Sequence, residues 1–402
     1  MRRASTTLAA ALLAGCAVPQ PKIPVDSYLG GDLAVVRSYA EQQVLDGAPE
    51  NLALVLNVQG QCDLYLGDED AARRSLLRAA QIMGTWATSG GEATAAVIGS
   101  ESSKTYKGDP YEKAMNAFYL AYAYLAKGEP DNARAALKRG ILMDAEVGDE
   151  KYQADNALLF WMAGRMTQLY GGSGAAQFFD EAREAHRFAV EHGSRGAPDN
   201  VILEAPERGN LVLLLPVGLG PAKFGDGAES ELARFRAQPH PAVAAQASLD
   251  GVNIGPSTIL SDLVYQAKTR GGTAMEGIRA GKAVFKSASR AAGVVLLDQA
   301  VRNSRRDREK AQAQAVVGGA LVLISALTAA AADVRYWPTL PATVQVLVAD
   351  VSPGRHDLVV DFVDGSGAAL PGIQRRLTVD VPATGEAWLL VPSLPPPSPV
   401  IE

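Results

Sequence analysis

The stretch AYAYLAKGEPDNARAALKRG, Ala121–Gly140, reads as two helices joined by a tight corner. Gly128 ends the first helix, because a C-terminal cap favours the left-handed backbone that glycine adopts most easily. Glu129 and its neighbours then start the second, with acidic charge at the positive end of the helix dipole. Ala121, Tyr124, Ala133, Leu137 and Gly140 mark the facing sides, with small residues where two antiparallel helices must approach closely.

The same spacing appears on both sides. GQCDLYLGDEDAARRSLLRAA places Gly60 seven residues before Gly67, followed by Ala72, Leu76 and Ala79. GRMTQLYGGSGAAQFFDEA repeats the interval from Gly164 to Gly171 and then loosens. A period of this length is the mark of a repeat architecture. The copies resemble the tetratricopeptide repeat, although Gln59 and Asp63 depart from its usual apolar and aromatic choices. The resemblance implies an N-terminal α-solenoid over residues 32–195, with Asp32 to Gly47 as an extra half-repeat. Residues 85–110 interrupt the period and read as an insertion on one face. Such arrays form concave surfaces that hold extended peptides or partner helices. Tyr119, Tyr122 and Trp161, on the first helices of the repeats, are the candidate partner-binding residues. The competing expectation is that the helices pack only against the chain's own second half.

Past Gly193 the period shortens toward two. NLVLLLPVGLGPAKFG, Asn210–Gly225, reads as a buried strand broken at Pro216 and Gly218. Residues 242–254 offer another strand. Residues 257–332 read as mostly helical, and the chain from Ala342 to Ser393 as four or five strands. Ser352-Pro353-Gly354 and Asp364-Gly365-Ser366-Gly367 are the turn signals between them. The expected fold class is therefore α+β: a helical array followed, over 196–402, by a small antiparallel sheet or sandwich whose strands flank a helical insertion. The Pro-rich tail, 392–402, reads as extended and loose.

The start of the chain reads as an export signal. Arg2 and Arg3 precede an apolar run, Leu8–Leu13, far shorter than the ~20 residues of a membrane-spanning helix. Leu13-Ala14-Gly15-Cys16 resembles the lipobox of bacterial lipoproteins. The resemblance implies removal of residues 1–15, palmitate-type acylation of Cys16, and a tether over 16–31. Several acyl chains on one residue make a stable anchor, each buried CH₂ contributing roughly 0.8 kcal/mol. Ala17, where an Asp would signal retention, favours the outer membrane, with the protein facing the periplasm. A net charge of −6 argues against nucleic acid as a partner. Once Cys16 is acylated, Cys62 is the remaining thiol, expected to fill a helix core.

Two further motifs stand out: GLGPAK, with Gly218, Gly220, Pro221 and Lys223, and ADVRYWPTLP, with Asp333, Arg335, Trp337, Pro338, Leu340 and Pro341. Together with the lipobox and the broken repeats, they resemble a family of bacterial lipoproteins with tetratricopeptide-like repeats, a β-rich C-terminal region and no assigned reaction. Asp333 and Arg335 are expected to pair with each other or with backbone. Lys223 is a candidate to reach an anionic group, but the favoured expectation is that both motifs dock helix against sheet.

No catalytic motif appears. His186, His192, His240 and His356 fall into no metal-ligand spacing, and His186 and His192 read as helix-surface residues. There is no G-x-S-x-G elbow, P-loop or dinucleotide fingerprint. The reading names no catalytic residue, metal or cofactor. It points to a non-catalytic envelope scaffold that binds a protein partner, with a membrane anchor at its N-terminus. The uncharged run 311–332 has the length of a membrane span. Its Ala and Gly content and its basic flank 302–310 favour a buried helix instead. The alternative function is a subunit of an envelope secretion or assembly complex in which 311–332 oligomerises or touches lipid.

Overall fold

A computed structural model describes residues 18–84, 105–144, 156–170, 172–227, 232–270 and 332–397. Cys16, the signal segment, most of the 85–110 insertion and all of the 311–332 run except Ala332 lie outside the described residues.

Short α1 (Val25–Leu29) leads into α2 (Leu33–Asp46), and then come three helical hairpins. The first is α3 (Leu52–Leu66) with α4 (Glu69–Met83); the second is α5 (Pro110–Ala126) with α6 (Pro130–Asp144); the third is α7 (Ala157–Leu169) with α8 (Ala175–Glu191). Gly67 and Gly128 take the left-handed conformation at the first two corners, φ +80° and +71°. Asp68 caps α4 by accepting from the Ala71 N–H at 3.0 Å, and Pro130 opens α6, where its missing N–H costs nothing. The small residues mark where the helices cross. A Cβ at Gly60 would lie 2.6 Å from Leu76 Cγ, at Gly140 2.5 Å from Ala117 Cβ, and at Gly164 2.5 Å from the Phe179 ring. Helix α4 packs on α5 and α6 on α7, so the hairpins stack in chain order.

After α9 (Val201–Glu204) the chain enters β1 (Leu211–Val217) and the ribbon of β2 (Ala222–Asp226) and β3 (Leu232–Arg236). Next come β4 (Ala244–Leu249), β5 (Val252–Pro256), β6 (Thr258–Asp262) and α10 (Leu263–Arg270). The last described part supplies β7 (Thr343–Ala349), β8 (Gly354–Val363), β9 (Arg375–Val381) and β10 (Ala387–Leu390). Two four-stranded sheets result, ordered β10-β1-β7-β6 and β5-β4-β8-β9. The first is mixed rather than purely antiparallel, because β10 runs parallel to β1.

Strand β1 explains the layering. All seven of its residues are buried. Leu211, Leu213, Leu215 and Val217 join Val360, Phe362 and Val379 in the core between the two sheets. Val212 and Leu214 point the other way and join Trp337, Val344 and the helical residues in a second core. A strand covered on both faces cannot alternate with polar residues, hence the unbroken apolar run. The order is helical array, first sheet, second sheet. One apolar core runs from Ile23 and Tyr28 through the array to Leu394, and the described helices share it with the inner face of the first sheet.

Several expectations need correction. Residues 18–31 are not a free tether: Pro21 and Ile23 are buried, and Tyr28 lies in the core. Residues 242–254 form not one strand but most of a hairpin, β4–β5, turning at Asp250-Gly251 with φ +51° and +78°. That pair is a two-residue turn whose positive φ matches the strand twist. The expected helical insertion begins with a strand, β6, which pairs with β7. The Pro-rich tail is docked over its first residues: continuing the Val391 N–H bond to the Leu214 carbonyl of β1, the Ser393 N–H donates to the Pro216 carbonyl, each at 2.9 Å, and Leu394 is buried. His186 is buried too, its Nε2 bonded to the Ala197 carbonyl at 2.7 Å.

Candidate functional site

The two motifs meet backbone to backbone. The Gly220 N–H donates to the Leu340 carbonyl at 2.7 Å. A Cβ at Gly220 would sit 2.8 Å from that same oxygen and 3.0 Å from the Pro341 carbonyl, so only glycine admits the approach. Pro221, Pro338 and Pro341 are buried around it. Gly218 turns with φ +76° and donates its N–H to Ser393 Oγ at 2.9 Å. The motifs thus form one junction, wedged between the sheet and the array.

Its apolar side centres on Gln61 of α3, itself wholly buried. The Trp337 indole N–H donates to Gln61 Oε1 at 2.9 Å, and the Thr339 hydroxyl donates to the same oxygen at 2.6 Å. Indole nitrogen is a donor only, so the amide orientation is forced. Gln61 Nε2 then donates to the Thr339 carbonyl at 2.8 Å and the Tyr119 hydroxyl at 3.0 Å. Tyr65 and Tyr119 share a hydroxyl bond of 2.8 Å. Burial, first of all, raises the Tyr65 phenol to about 12. This cluster contains no ionised group.

The charged side lies beside it. Lys223 Nζ donates to Asp109 Oδ2 at 2.7 Å and stands 5.6 Å from the Phe235 ring centre. Glu112, fully buried, accepts from the Trp337 N–H at 2.6 Å and the Asp109 N–H at 2.7 Å. Burial, reinforced by the Asp109 charge, pushes the Glu112 carboxyl up to about 7, against the pull of Lys223. Arg335 clasps Asp333 with two bonds, Nε to Oδ1 at 2.9 Å and Nη2 to Oδ2 at 2.7 Å. Its Nη1 reaches the Glu50 carbonyl at 3.2 Å and Asn51 Oδ1 at 3.1 Å. Burial works to raise the Asp333 carboxyl, but the Arg335 hydrogen bonds and charge outweigh it and hold it low.

Two further latches complete the contact. Arg165 of α7 donates to the carbonyls of Pro206 (3.0 Å), Arg208 and Gly209 (both 2.6 Å) and pairs with Glu386. Arg195 clasps Asp262, with bonds of 2.9 Å to Oδ2 and 2.7 Å to Oδ1. Burial opposes the Asp262 charge, yet Arg195 keeps that carboxyl below its ordinary value.

The candidate partner-binding residues require correction. Tyr119 and Trp161 are wholly buried. Trp161 donates its indole N–H to the Pro206 carbonyl at 3.2 Å and its ring lies 5.8 Å from that of Trp388. Tyr122 is half-buried, its hydroxyl accepting from the Leu390 N–H at 3.2 Å. Trp161 and Tyr122 meet β10, and Tyr119 lies against Trp337 of the junction, so all three contact this chain's own second half. Lys223 meets a carboxylate of this chain, not an outside anion.

No known family, curated protein or solved structure matches the chain. Among the described residues there is no cluster of His, Cys, Asp and Glu suited to a metal, and no helix is long and apolar enough to cross a membrane. A shallow groove with about 310 Å³ of empty volume lies between α4, α5 and α6, lined by Met83, Lys113, Asn116 and Arg139. Arg139 is held there by donating to the Ala80 carbonyl. Sequence reasoning missed Gln61, Glu112 and Arg165. The available signal was polarity where a repeat helix wants apolar side chains.

Proposed function

We propose that the protein is a non-catalytic lipoprotein of the bacterial outer membrane, facing the periplasm, that serves as a protein-binding scaffold. Its hairpins act as a tetratricopeptide-like array stiffened by its own sandwich, and Cys16 carries the acyl anchor. The observation that carries a non-catalytic reading is that the charged side chains of both motifs are engaged within the chain: Lys223 on Asp109, and buried Arg335 on Asp333. Catalytic acids and bases need reach to a substrate; these hold a junction. The partner then meets apolar side chains that the fold leaves exposed, Val35, Leu142 and Tyr170 among them.

Photo-crosslinking probes at Val35, Leu142 and Tyr170 test the reading in cells. One discrete protein adduct is the expected result, and absence of any adduct at the three positions removes the scaffold. Cys16→Ser is expected to release the chain from the membrane fraction into the periplasm. A variant still bound as tightly as the parent would remove the anchor.

A further inference from the structure

The start of the described chain is fixed to the body. The Pro19 carbonyl accepts from Asn51 Nδ2 at 3.0 Å, and Gln20 Oε1 accepts from the Tyr336 N–H at 3.0 Å. Three residue steps separate Cys16 from Pro19, a reach of at most ~11 Å. Acyl chains on Cys16 therefore hold the body close, with the edge that receives Gln20 turned toward the bilayer.

That edge carries Tyr336 and, beside it, the outer face of the β2–β3 ribbon. Next to Tyr336, the Trp337 N–H donates to Glu112, which also accepts from the Asp109 N–H, and Lys223 of the ribbon donates to Asp109 Oδ2; on the ribbon's outer face the Arg236 guanidinium lies 5.7 Å from the Phe224 ring centre. Phe224 is the register partner of Arg234. Phe224 and Arg236 are exposed, and so is Arg234, which pairs with Asp226 on the same face at 3.5 Å. The opposite face of the ribbon is pinned to α5, by Phe235 edge-on to Tyr111 at 5.9 Å and by Lys223 on Asp109. The ribbon therefore keeps a set orientation relative to the anchor. Aromatic rings settle at the headgroup level of a bilayer, and guanidinium groups bind phosphate in a planar fork.

We infer that the outer face of the ribbon, Phe224 and Arg236 together with Tyr336, rests on the phospholipid headgroups of the membrane that holds Cys16. The anchor then sets the orientation of the body as well as its address, and strand β4, which starts beside the junction at Ala242 and Gly218, carries the β4–β5 turn away from the lipid. This rests on the acylation of Cys16 proposed above.

The test uses the full acylated chain in phosphatidylethanolamine vesicles that contain a headgroup spin-labelled phospholipid. A fluorophore is attached at Ala237→Cys, an exposed position next to Arg236, or at Val252→Cys on the β4–β5 hairpin, where Val252 is 66% exposed. Cys62 is fully buried, and Cys16 is blocked by its own modification, so the new thiol takes the label. Quenching several-fold stronger at 237 than at 252 is the expected result. Equal quenching, or stronger quenching at 252, in a chain whose mass shows acylated Cys16 overturns the orientation and leaves the anchor standing. A mass without acyl chains overturns both.

Discussion

Gln61 uses every hydrogen-bonding position of its amide inside the protein. Replacing it by Leu leaves the Trp337 indole N–H and the Thr339 carbonyl without their partner, and each orphaned buried group costs about 1–3 kcal/mol. Gln61→Leu is expected to destabilise the fold by about 2–4 kcal/mol in urea unfolding; a change under about 0.5 kcal/mol would refute the network. Glu112 makes a different prediction. Its carboxyl titrates near 7 in the folded chain and near 4.3 in an unfolded one. The folded state therefore holds the proton more tightly, and the stabilisation is complete below the unfolded value. It is lost as pH rises from ~4.5 through 7. Asp63, raised to about 7 chiefly by burial, acts in the same sense. Asp262 and Asp333, held low by arginine, act oppositely and weaken the fold only in stronger acid. The urea midpoint is expected to peak near pH 5 and fall toward pH 8, and Glu112→Gln is expected to flatten that fall. An unchanged pH profile in Glu112→Gln would assign the slope elsewhere.

At the scale of elements, the glycine crossings set packing against propensity. Alanine is normally favoured over glycine inside a helix by roughly 0.5–1 kcal/mol. At Gly60 and Gly140 the new methyl meets Leu76 or Ala117 at 2.5–2.6 Å, and overpacking costs about 1–3 kcal/mol. Gly60→Ala and Gly140→Ala are therefore expected to lower stability. Gly365→Ala, in open space at a loop, serves as a control with little effect. A rise in Tm for the helical variants would show that the hairpins do not cross there. These crossings were readable in the spacing of small residues, as β1 was in its apolar run, because both signals are local. The Asp250-Gly251 turn was equally local, but a weakly patterned stretch from 242 to 254 hid it. What Tyr119 and Trp161 face was not readable: an aromatic side chain on a helix does not say what covers it. The Gln61–Thr339 contact joins residues 278 positions apart, and no periodicity reports such a pairing.

For the whole molecule, the shared core sets the limits. Residues 18–195 alone would uncover Trp161, which packs on Trp388, and Tyr119 and Gln61, which meet Trp337 and Thr339. That fragment is expected to lose cooperative unfolding and to bind a hydrophobic dye, whereas the full chain unfolds in one transition. A cooperatively folding fragment would contradict the single core. Strand β1 carries a consequence for assembly. Its two neighbours, β7 and β10, begin at Thr343 and Ala387, more than a hundred residues later in the chain. Until they arrive, both edges of the most apolar strand stand open, and such distant pairings form slowly. A nascent chain therefore has to be kept from aggregating until nearly all of it has emerged, so a holding chaperone is expected to raise its yield more than that of a protein folding segment by segment.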